Sequence, residues 1–310
     1  MFRIGCVNID TSHPGSFAAK IAENKLDMRY TAIFNDGFRS DEEVKTFMKN
    51  NNIEKRYTCL KEMAKDVDIA FIHDCNWEKH IEHAMPFIEA GKPVFLDKPI
   101  VGNLKDCYKI EELVKKGAKI LGSSSVRYAF DIEELKKKIS ANGETIATVF
   151  GTSGVDEFNY GVHIMEGIHN LLGAGVYSSE YLGASRNGAK PAEQYLVKWN
   201  NGIQVIYQVQ TGQWQAFHLV VTTDKAIHHI QVDSTQIYLA LLKRIEAFLK
   251  ENKPLAPIEE LTETVKIYLA GKKSRETGGQ EIVLQSLSAG DAGFDGYSFE
   301  KGYANAAIKK

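Results

Sequence analysis

The 310-residue chain has few cysteines, little net charge and no long apolar run. Its four cysteines (Cys6, Cys59, Cys75 and Cys107) are widely spaced and form no C-x-x-C pair, which argues against a disulfide framework and a zinc site. The formal net charge of −2 gives no basic field of the kind that nucleic acid requires. No apolar run approaches the roughly 20 residues of a membrane-spanning helix. We therefore expect neither a nucleic-acid partner nor a membrane partner.

The composition that remains is typical of a soluble globular enzyme, with 44% hydrophobic and 25% charged residues. A chain of this length can form two domains of ordinary size. It opens with Phe2-Arg-Ile-Gly-Cys-Val7, which indicates a β-strand rather than a signal peptide. These features predict a cytoplasmic protein with reduced cysteines.

Short apolar runs alternate with amphipathic stretches through residues 1–122, which predicts a parallel sheet covered by helices on both faces. The clearest helix carries Ile81, Ala84, Met85 and Ile88 at helical spacing and ends at Gly91. The predicted strands are Phe2–Val7, Met28–Phe34, Arg56–Thr58, Ile69–His73, Val94–Leu96 and Ile120–Gly122. The predicted helices are Phe17–Glu23, Glu42–Lys49, His80–Glu89 and Leu104–Lys115. We interpret residues 1–122 as a Rossmann-type, doubly wound dinucleotide-binding domain.

Residues 123–310 follow a different pattern, in which consecutive runs of β-formers predict an open, mostly antiparallel sheet. Asn200-Asn-Gly202 separates two of these runs and is a hairpin signal. Two helices with apolar stripes follow, beginning near Ile237 and Ile258, and the Gly- and Ser-rich composition of the last twenty residues favours a loop or arm. We expect this α/β domain to bind the substrate and to carry the oligomer contact.

Two separate stretches carry the residues best suited to catalysis. An apolar run, Val94-Phe-Leu, ends abruptly in Asp97, Lys98 and Pro99, and side chains at the carboxyl ends of parallel strands line the ligand crevice. His163 begins an apolar helix, and histidine is the side chain best suited to proton transfer near neutral pH. A cation and a proton acceptor at two such ends suggest chemistry on a hydroxyl or a carbonyl.

The turn after the first strand is the expected dinucleotide site, but it lacks glycine. Asn8, Asp10 and His13 stand where a Rossmann fingerprint has its three glycines, and Asp10 is a carboxylate aimed at a phosphate-binding region. Thr11 and Ser12 can still offer hydroxyls at the start of the helix. The alternative is a strand–helix turn that binds no ligand.

The ends of two further strands are expected to border the cofactor. Asp36 follows the second strand, where an acid holds the adenosine ribose, whereas Arg39 could instead meet the 2′-phosphate of NADP. Asp36 is nearer the strand end, which favours NAD over NADP. Asn76 and Trp77 follow the fourth strand. The alternative for Asp36 is an ordinary polar turn at Asp36-Gly37, and the alternative for Trp77 is simple packing.

These residues, in order, resemble the glucose–fructose oxidoreductase/inositol dehydrogenase (Gfo/Idh/MocA) family over nearly the whole chain. The segments that carry the resemblance are Asn76-Trp77, His80, Glu89-Ala-Gly-Lys-Pro93, Asp97-Lys98-Pro99-Ile, Ser125-Val-Arg127-Tyr128 and Gly161-Val-His163. The resemblance implies a Rossmann domain followed by an open-sheet α/β domain through which the chain forms a dimer or tetramer. It also implies NAD- or NADP-dependent oxidation or reduction of carbinols in sugars, inositols or related polyols.

The resemblance also assigns roles to individual positions. The family's Glu-Lys-Pro signature falls on Asp97-Lys98-Pro99, and its Asp-x-x-x-His pair falls on Asn159 and His163. Asp97 and Lys98 are therefore expected to border the cofactor. Arg127, Tyr160 and Glu166 are expected to contact the substrate.

Residue chemistry suggests how such a site would work. His163 takes the hydroxyl proton while Lys98 steadies the oxygen, or Lys98 is itself the base if burial lowers its pKa. Asn159 orients the imidazole, and Glu166 lies on the same helical face as His163 and could supply the charge that Asn159 lacks. Alternatively, Lys98 forms a surface ion pair with Asp97, and His163 is a structural histidine at a helix start. A metal site at His163, Glu166 and His169 is disfavoured because His169 turns away, so we expect no metal.

Two other functions remain open from the sequence. The substitutions Asn8, Asp10, His13 and Asn159 would suit a non-catalytic sensor of nucleotides or sugars that kept the fold. A lyase or glycosidase that uses transient oxidation would keep the cofactor but show no net redox change.

Overall fold

Two β-sheets organise the protein, and the computed structural model describes residues 1–122, 124–186 and 190–308. The first sheet contains six parallel strands. They are β1 (Phe2–Val7), β2 (Met28–Phe34), β3 (Lys55–Tyr57), β4 (Ile69–Ile72), β5 (Val94–Leu96) and β6 (Ile120–Gly122). Their order is β3-β2-β1-β4-β5-β6. Successive strands are therefore added towards one edge of the sheet from β1 to β3 and towards the other edge from β4 to β6, and the order switches between β1 and β4. A ligand crevice is expected at such a switch point.

Five helices connect these strands. They are α1 (His13–Glu23), α2 (Asp41–Asn50), α3 (Leu60–Asp66), α4 (His80–Glu89) and α5 (Leu104–Lys115). All four residues of β4 are fully buried, because helices cover both faces of the sheet. A capping box between Ser40 and Glu43 starts α2.

The second sheet has seven strands. They are β7 (Ile146–Val155), β8 (Val176–Ser185), β9 (Ala192–Trp199), β10 (Gln204–Thr211), β11 (His218–Thr223), β12 (Ile227–Gln231) and β13 (Ile282–Val283). The order is β12-β11-β7-β10-β9-β8-β13, in which β7 and β10 are parallel and the other neighbours antiparallel. Along β10, Val205, Tyr207 and Val209 are buried whereas Ile206 is 39% exposed, so one face of the sheet lies open.

Five more helices complete the fold: α6 (Phe130–Ala141), α7 (Gly161–Leu172), α8 (Ile237–Glu251), α9 (Ile258–Glu276) and α10 (Gly296–Ile308). Short 3₁₀ helices lie at Ser125–Tyr128 and Leu284–Ser286. Helices α7 and α9 pack on the second sheet, whereas α8 packs on α1. In that contact Leu242 and Ile245 join Ile4 and Phe17 in one apolar core. No helix among the described residues is long and apolar enough to cross a membrane.

The predicted fold class is confirmed, and most predicted strands and helices appear within a few residues of their expected bounds. The sequence analysis missed α3, β8 and β13. The prediction of a loop over the last twenty residues was wrong, since α10 occupies most of them. Its aromatic side chains pack against other parts of the chain, and this tertiary contact outweighs the helix-breaking composition. The division at residue 122 stays a prediction.

Candidate active site

A cavity of about 180 Å³ opens at the carboxyl edge of the first sheet. Engineered cavities of roughly 150 Å³ hold a benzene molecule, so this space suits a single six-membered ring. Both halves of the chain contribute to its wall. The side chains that line it include Thr11, Ser12, His13, Asp97, Lys98, Asn159, Tyr160, His163, Trp214, Phe217, Tyr238, Phe299 and Tyr303.

Lys98 directly follows β5, and its amino group is aimed by Asn159. Lys98 Nζ donates to Asn159 Oδ1 at 2.7 Å and to Asn159 O at 3.3 Å, and it lies 5.5 Å from the centre of the Tyr160 ring. Burial lowers the pKa of Lys98. Asn159 Oδ1 thus accepts from Lys98, and the role of Asn159 in orienting the imidazole of His163 stays a prediction.

His163 is 6% exposed and takes its partner from a different element. Its Nδ1 lies 2.6 Å from Ser124 Oγ, and its ring packs on Tyr160 and Phe217. Burial, followed by the nearby charge of Lys98, holds the pKa of His163 well below its ordinary value. The sequence analysis missed Ser124, which no local motif marks.

Arg127 and Glu166 lie away from the cavity. Arg127 Nη1 donates to Glu166 Oε2 at 3.0 Å, and Arg127 Nη2 pairs with Glu260. Both Arg127 and Glu166 are buried in this pairing. Neither residue is among the side chains that line the cavity, and the roles expected of Arg127 and Glu166 stay predictions.

Asn8 explains how the turn after β1 forms without its first glycine. Its φ of 62° is left-handed, a conformation that asparagine tolerates better than most residues. Asn8 Oδ1 accepts hydrogen bonds from the backbone N–H groups of Asp36 (2.8 Å) and Gly37 (3.1 Å). Asn8 Nδ2 donates to Asp36 Oδ1 at 3.0 Å and to the Asp74 carboxylate. The side chain thus joins the loops that follow β2 and β4.

Asp10 is buried in the middle of the expected phosphate-binding turn. Its Oδ2 accepts a 3.4 Å hydrogen bond from Cys75 N, and its Oδ1 has no partner among the described residues. Burial, then the charge of Asp74, raises the pKa of Asp10 to about 6. A Cβ atom at Gly37 would lie 2.0 Å from Asp10 Oδ1, so glycine is required there for this close approach.

Thr11 and Ser12 lie at the N-terminus of α1, beside the cavity. Thr11 Oγ1 accepts a hydrogen bond from His13 N at 3.2 Å, whereas the Ser12 side chain makes no capping bond. These two hydroxyls and the helix N-terminus suit a phosphate group. They are the predicted cofactor residues whose setting best fits a dinucleotide.

Asp36 and Arg39 are already engaged inside the protein. Asp36 Oδ2 lies 3.3 Å from His83 Nε2, and this hydrogen bond lowers the pKa of Asp36 to about 2. Arg39 donates to Asp10 O at 3.0 Å and pairs with Glu43 at 2.9 Å. Asp36 is still partly exposed and could meet a ribose, whereas Arg39 is committed to its neighbours.

Helix α10 covers the loop after β4, where an adenosine would lie. Glu300 accepts 3.1 Å hydrogen bonds from Asn76 Nδ2 and Lys79 Nζ. Trp77 Nε1 donates to Phe294 O at 2.8 Å, and its ring packs on Phe299. Trp77 is 3% exposed, so its setting is that of simple packing. The nicotinamide end of the groove therefore fits a cofactor, but the adenosine end is covered in this arrangement of α10.

Asp97 holds two histidines that lie far apart in the sequence. Its carboxylate oxygens both lie 2.8 Å from His13 Nδ1, and Oδ2 lies 2.9 Å from His73 Nδ1. Burial alone would raise the pKa of Asp97, but the charges and hydrogen bonds of His13 and His73 hold it well below its ordinary value. Asp97 is thus an ionised carboxylate with its oxygens occupied.

Within the described residues, two groups of three potential metal ligands have ligand atoms within 4.8 Å of one another. One comprises Asp10, Cys75 and Glu300, and the other Asp36, Asp74 and His83. In the second group His83 bridges the two carboxylates. Burial opposes its charge, but the hydrogen bonds to Asp36 and Asp74 raise the pKa of His83 to about 10. The protonated imidazole of His83 therefore supplies the positive charge that a metal ion would otherwise bring to the two carboxylates.

Part of the chain is similar to known oxidoreductases. Residues 4–124 match the model of an oxidoreductase family with an NAD-binding Rossmann fold. Inositol 2-dehydrogenase 3 of Saccharopolyspora erythraea is 35% identical over 81 residues, and the match spans 25% of this chain and 23% of that protein.

Solved structures share the fold over nearly the whole chain. Apo scyllo-inositol dehydrogenase from Lactobacillus casei has a TM-score of 0.79 at 15% identity, covering 92% of this chain and 99% of that chain. Myo-inositol dehydrogenase from Lactobacillus casei, in complex with NAD(H) and myo-inositol, has a TM-score of 0.78 at 12% identity, covering 93% and 98%. A probable dehydrogenase from Thermotoga maritima has a TM-score of 0.77 at 15% identity, covering 92% and 100%.

Proposed function

We propose that the chain is an NAD(P)-dependent dehydrogenase of the Gfo/Idh/MocA family of oxidoreductases, whose NAD-binding Rossmann fold residues 4–124 match. It transfers hydride between a nicotinamide cofactor and a carbinol of a sugar, inositol or related polyol. One observation carries this proposal: Lys98 and His163 share a ring-sized cavity beside the N-terminus of α1.

The chemistry follows from the groups that line this cavity. When bound, the nicotinamide supplies the hydride acceptor or donor. Lys98 Nζ retains a hydrogen that Asn159 does not use, and it can donate to the substrate oxygen as negative charge develops there. Burial lowers the pKa of Lys98. His163 faces the same space.

The polar contacts favour NAD over NADP. Asp36 is ionised, with a pKa of about 2, and lies where it would repel a 2′-phosphate. Arg39, the side chain that could attract that phosphate, is bonded to Asp10 O and Glu43. Thr11, Ser12 and the start of α1 would hold the pyrophosphate. Because α10 covers the adenosine end, the cofactor binds after α10 moves away.

The open face of the second sheet supports self-association. Phe150 of β7 is 36% exposed and Ile206 of β10 is 39% exposed on this face. Exposed apolar patches of this kind are typical of interaction surfaces. The proposed protein is a cytoplasmic homodimer or homotetramer joined through this sheet, with a small polyol as its substrate.

Calorimetric titration with NADH and NADPH, followed by a sugar and polyol panel monitored at the reduced-nicotinamide absorbance, tests the function. We expect NADH to bind with micromolar affinity and at least one six-membered polyol to be turned over. Failure of both dinucleotides to bind below millimolar concentration would end the dehydrogenase proposal.

A specific observation favours a second candidate, a non-catalytic sugar-binding protein. Asn8, Asp36, Asn76, Trp77 and Asp97 all bond within the protein, and α10 lies over part of the groove. Such a protein would bind a polyol in the cavity without any dinucleotide. The same titrations, repeated with myo-inositol alone, separate the two candidates.

A further inference from the structure

We propose that the imidazole of His13, rather than that of His163, exchanges the substrate's hydroxyl proton in this cavity, with Asp97 as its positioning residue. This inference rests on the proposed dehydrogenase function and assigns a catalytic residue to it. The sequence analysis gave His13 a cofactor-binding role only.

The geometry fixes which nitrogen of His13 carries hydrogen. Both carboxylate oxygens of Asp97 lie 2.8 Å from His13 Nδ1, and an ionised carboxylate can only accept a hydrogen bond. The hydrogen therefore sits on Nδ1, and the neutral ring has its lone pair on Nε2. No described residue bonds to Nε2, and His13 lines the cavity. Its basic nitrogen is free to meet a ligand.

Neighbouring rings hold this imidazole in one orientation. It stacks on Phe17 with a centroid distance of 5.6 Å and an interplanar angle of 6°, and the edge of Tyr238 meets it at 5.3 Å. The carboxylate at one end and rings on two sides leave little freedom to turn. A general base requires such positioning before its basicity is useful.

The two cavity histidines differ in the groups that face their rings. His13 Nδ1 lies 2.8 Å from the Asp97 carboxylate, the arrangement of other histidine–carboxylate pairs that exchange protons. An imidazolium at His163 would face the neutral Ser124 hydroxyl and the ammonium of Lys98. His163 is therefore suited to hydrogen-bond a substrate hydroxyl as a neutral ring, while His13 carries the proton.

Other titratable groups around His13 fit this assignment. His73 packs behind Asp97 and donates to it, with Tyr30 on its far nitrogen, and burial lowers the pKa of His73. His73 does not line the cavity, so His13 is the partner of Asp97 that can meet a ligand. Tyr238 is held protonated, because burial raises its pKa.

The proton and electron balance is complete. In the oxidising direction the substrate O–H bond breaks and its proton bonds to His13 Nε2. The C–H electron pair leaves as hydride for the nicotinamide dinucleotide, and the carbonyl forms. In the reducing direction His13 returns the proton to the carbonyl oxygen.

Steady-state kinetics of His13→Gln, with Lys116→Gln at an exposed position on the first domain as a control, test the role. We expect His13→Gln to lower kcat by at least ~10²-fold, to leave the NADH Kd within about threefold, and to abolish the rise of kcat/KM with pH that a base of this kind produces. Asp97→Asn should lower kcat in the same direction. His163→Gln should raise KM more than it lowers kcat. A His13→Gln enzyme that keeps the wild-type kcat and pH profile overturns the proposal.

Histidine-selective ¹⁵N NMR of the full chain gives a readout that does not depend on turnover. We expect neutral His13 to carry its proton on Nδ1, with a downfield resonance that Asp97→Asn removes, and its Nε2 signal to shift when myo-inositol is added. An Nε2–H tautomer, or no response to myo-inositol where His163 responds, overturns the proposal even for an active enzyme. If NADH does not bind, the dehydrogenase function fails, but the tautomer and the polyol response still decide the role of His13.

Discussion

Asn159 Oδ1 accepts a hydrogen bond from Lys98 Nζ at 2.7 Å. Asp156 in turn fixes Asn159, whose backbone N–H donates to Asp156 Oδ1 at 2.5 Å. A neutral acceptor orients the amine without forming an ion pair with it. Lys98 therefore keeps its charge available for a substrate oxygen, in a setting where burial lowers its pKa.

Replacing Lys98 with alanine should lower kcat by at least ~10²-fold, because the substrate oxygen loses its charged donor in a partly buried site. The Kd for NADH should stay nearly unchanged, as this role is on the reacting oxygen. Lys116→Ala, at an exposed i,i+4 pair with Glu112, is the control. Unchanged turnover in Lys98→Ala would remove this residue from the mechanism.

Replacing Asn159 with aspartate should raise the pKa of Lys98, because a carboxylate would then face its amino group. We expect the alkaline limb of the kcat–pH profile to move upward by at least about one unit. The profile is measured in parallel with Lys98→Ala, in which Asn159→Asp should have no further effect. An unmoved limb would show that Lys98 does not govern it.

Replacing Asp10 with asparagine should stabilise the protein above neutral pH. The folded-state pKa of Asp10, about 6, exceeds its ordinary value. The wild type therefore loses stability as the pH rises from about 4 to about 6. A shift of this size corresponds to roughly 2–3 kcal/mol. Denaturant unfolding at pH 4.5 and pH 8 should show the gain mainly at pH 8.

Asp36→Asn is the control for Asp10→Asn, because its expected effect on the free energy of unfolding has the opposite sign. The pKa of Asp36 is lowered to about 2, so its stabilising contribution is present above about pH 4 and is lost as pH falls towards 2. This variant should be less stable than the wild type at pH 8. A change in the free energy of unfolding that has the same sign and size in both variants would contradict the electrostatic explanation.

Weakening α10 should tighten dinucleotide binding. Glu300→Gln removes the charge that pairs with Lys79, and deletion of residues 288–310 removes the helix that covers Asn76 and Trp77. We expect the NADH Kd to fall by about tenfold in the deletion variant, equivalent to about 1.4 kcal/mol, and by less in Glu300→Gln. Lys301→Gln is the neighbouring control. Equal affinities by calorimetry would mean that α10 does not compete with the cofactor.

Placing a charge on the open face of the second sheet should break the oligomer. Ile206→Lys adds a lysine to the centre of this face, and Tyr108→Lys, at a half-exposed position on α5, is its control. Light scattering after size-exclusion chromatography should give a dimer or tetramer for wild type and control, and a monomer for Ile206→Lys. A monomeric wild type would refute association through this sheet.

The first sheet could be predicted closely because its strands are buried on both sides and appear as short apolar runs. Strand β8 was missed because serine and glycine interrupt its apolar positions, as in the run Ser178-Ser-Glu-Tyr-Leu-Gly183. Helix α10 was missed for a related reason. Its position depends on Phe299 and Tyr303 meeting Trp77 and Phe38, contacts that no local pattern encodes.

The candidate site was predictable where it depends on strand and helix ends. Lys98, Asn159 and His163 lie at such ends, and the structure brings them to one cavity; their catalytic roles stay predictions. The partners of these residues were not predictable. Ser124 meets His163, and Asp97 meets His13 and His73, across long stretches of chain that only the folded topology brings together.

Helix α8 lies on α1 while its first turn carries Tyr238 to the edge of His13. Buried residues of both sheets, among them Leu96 of β5 and Val149 of β7, belong to one apolar core, so swinging the two sheets apart would unpack it. Trp214, 64% exposed on the loop after β10, faces solvent at the cavity wall together with the exposed Ser12 and Ser234. The cavity therefore opens to solvent beside one indole ring and two serine hydroxyls, which are the groups that an arriving polyol meets first.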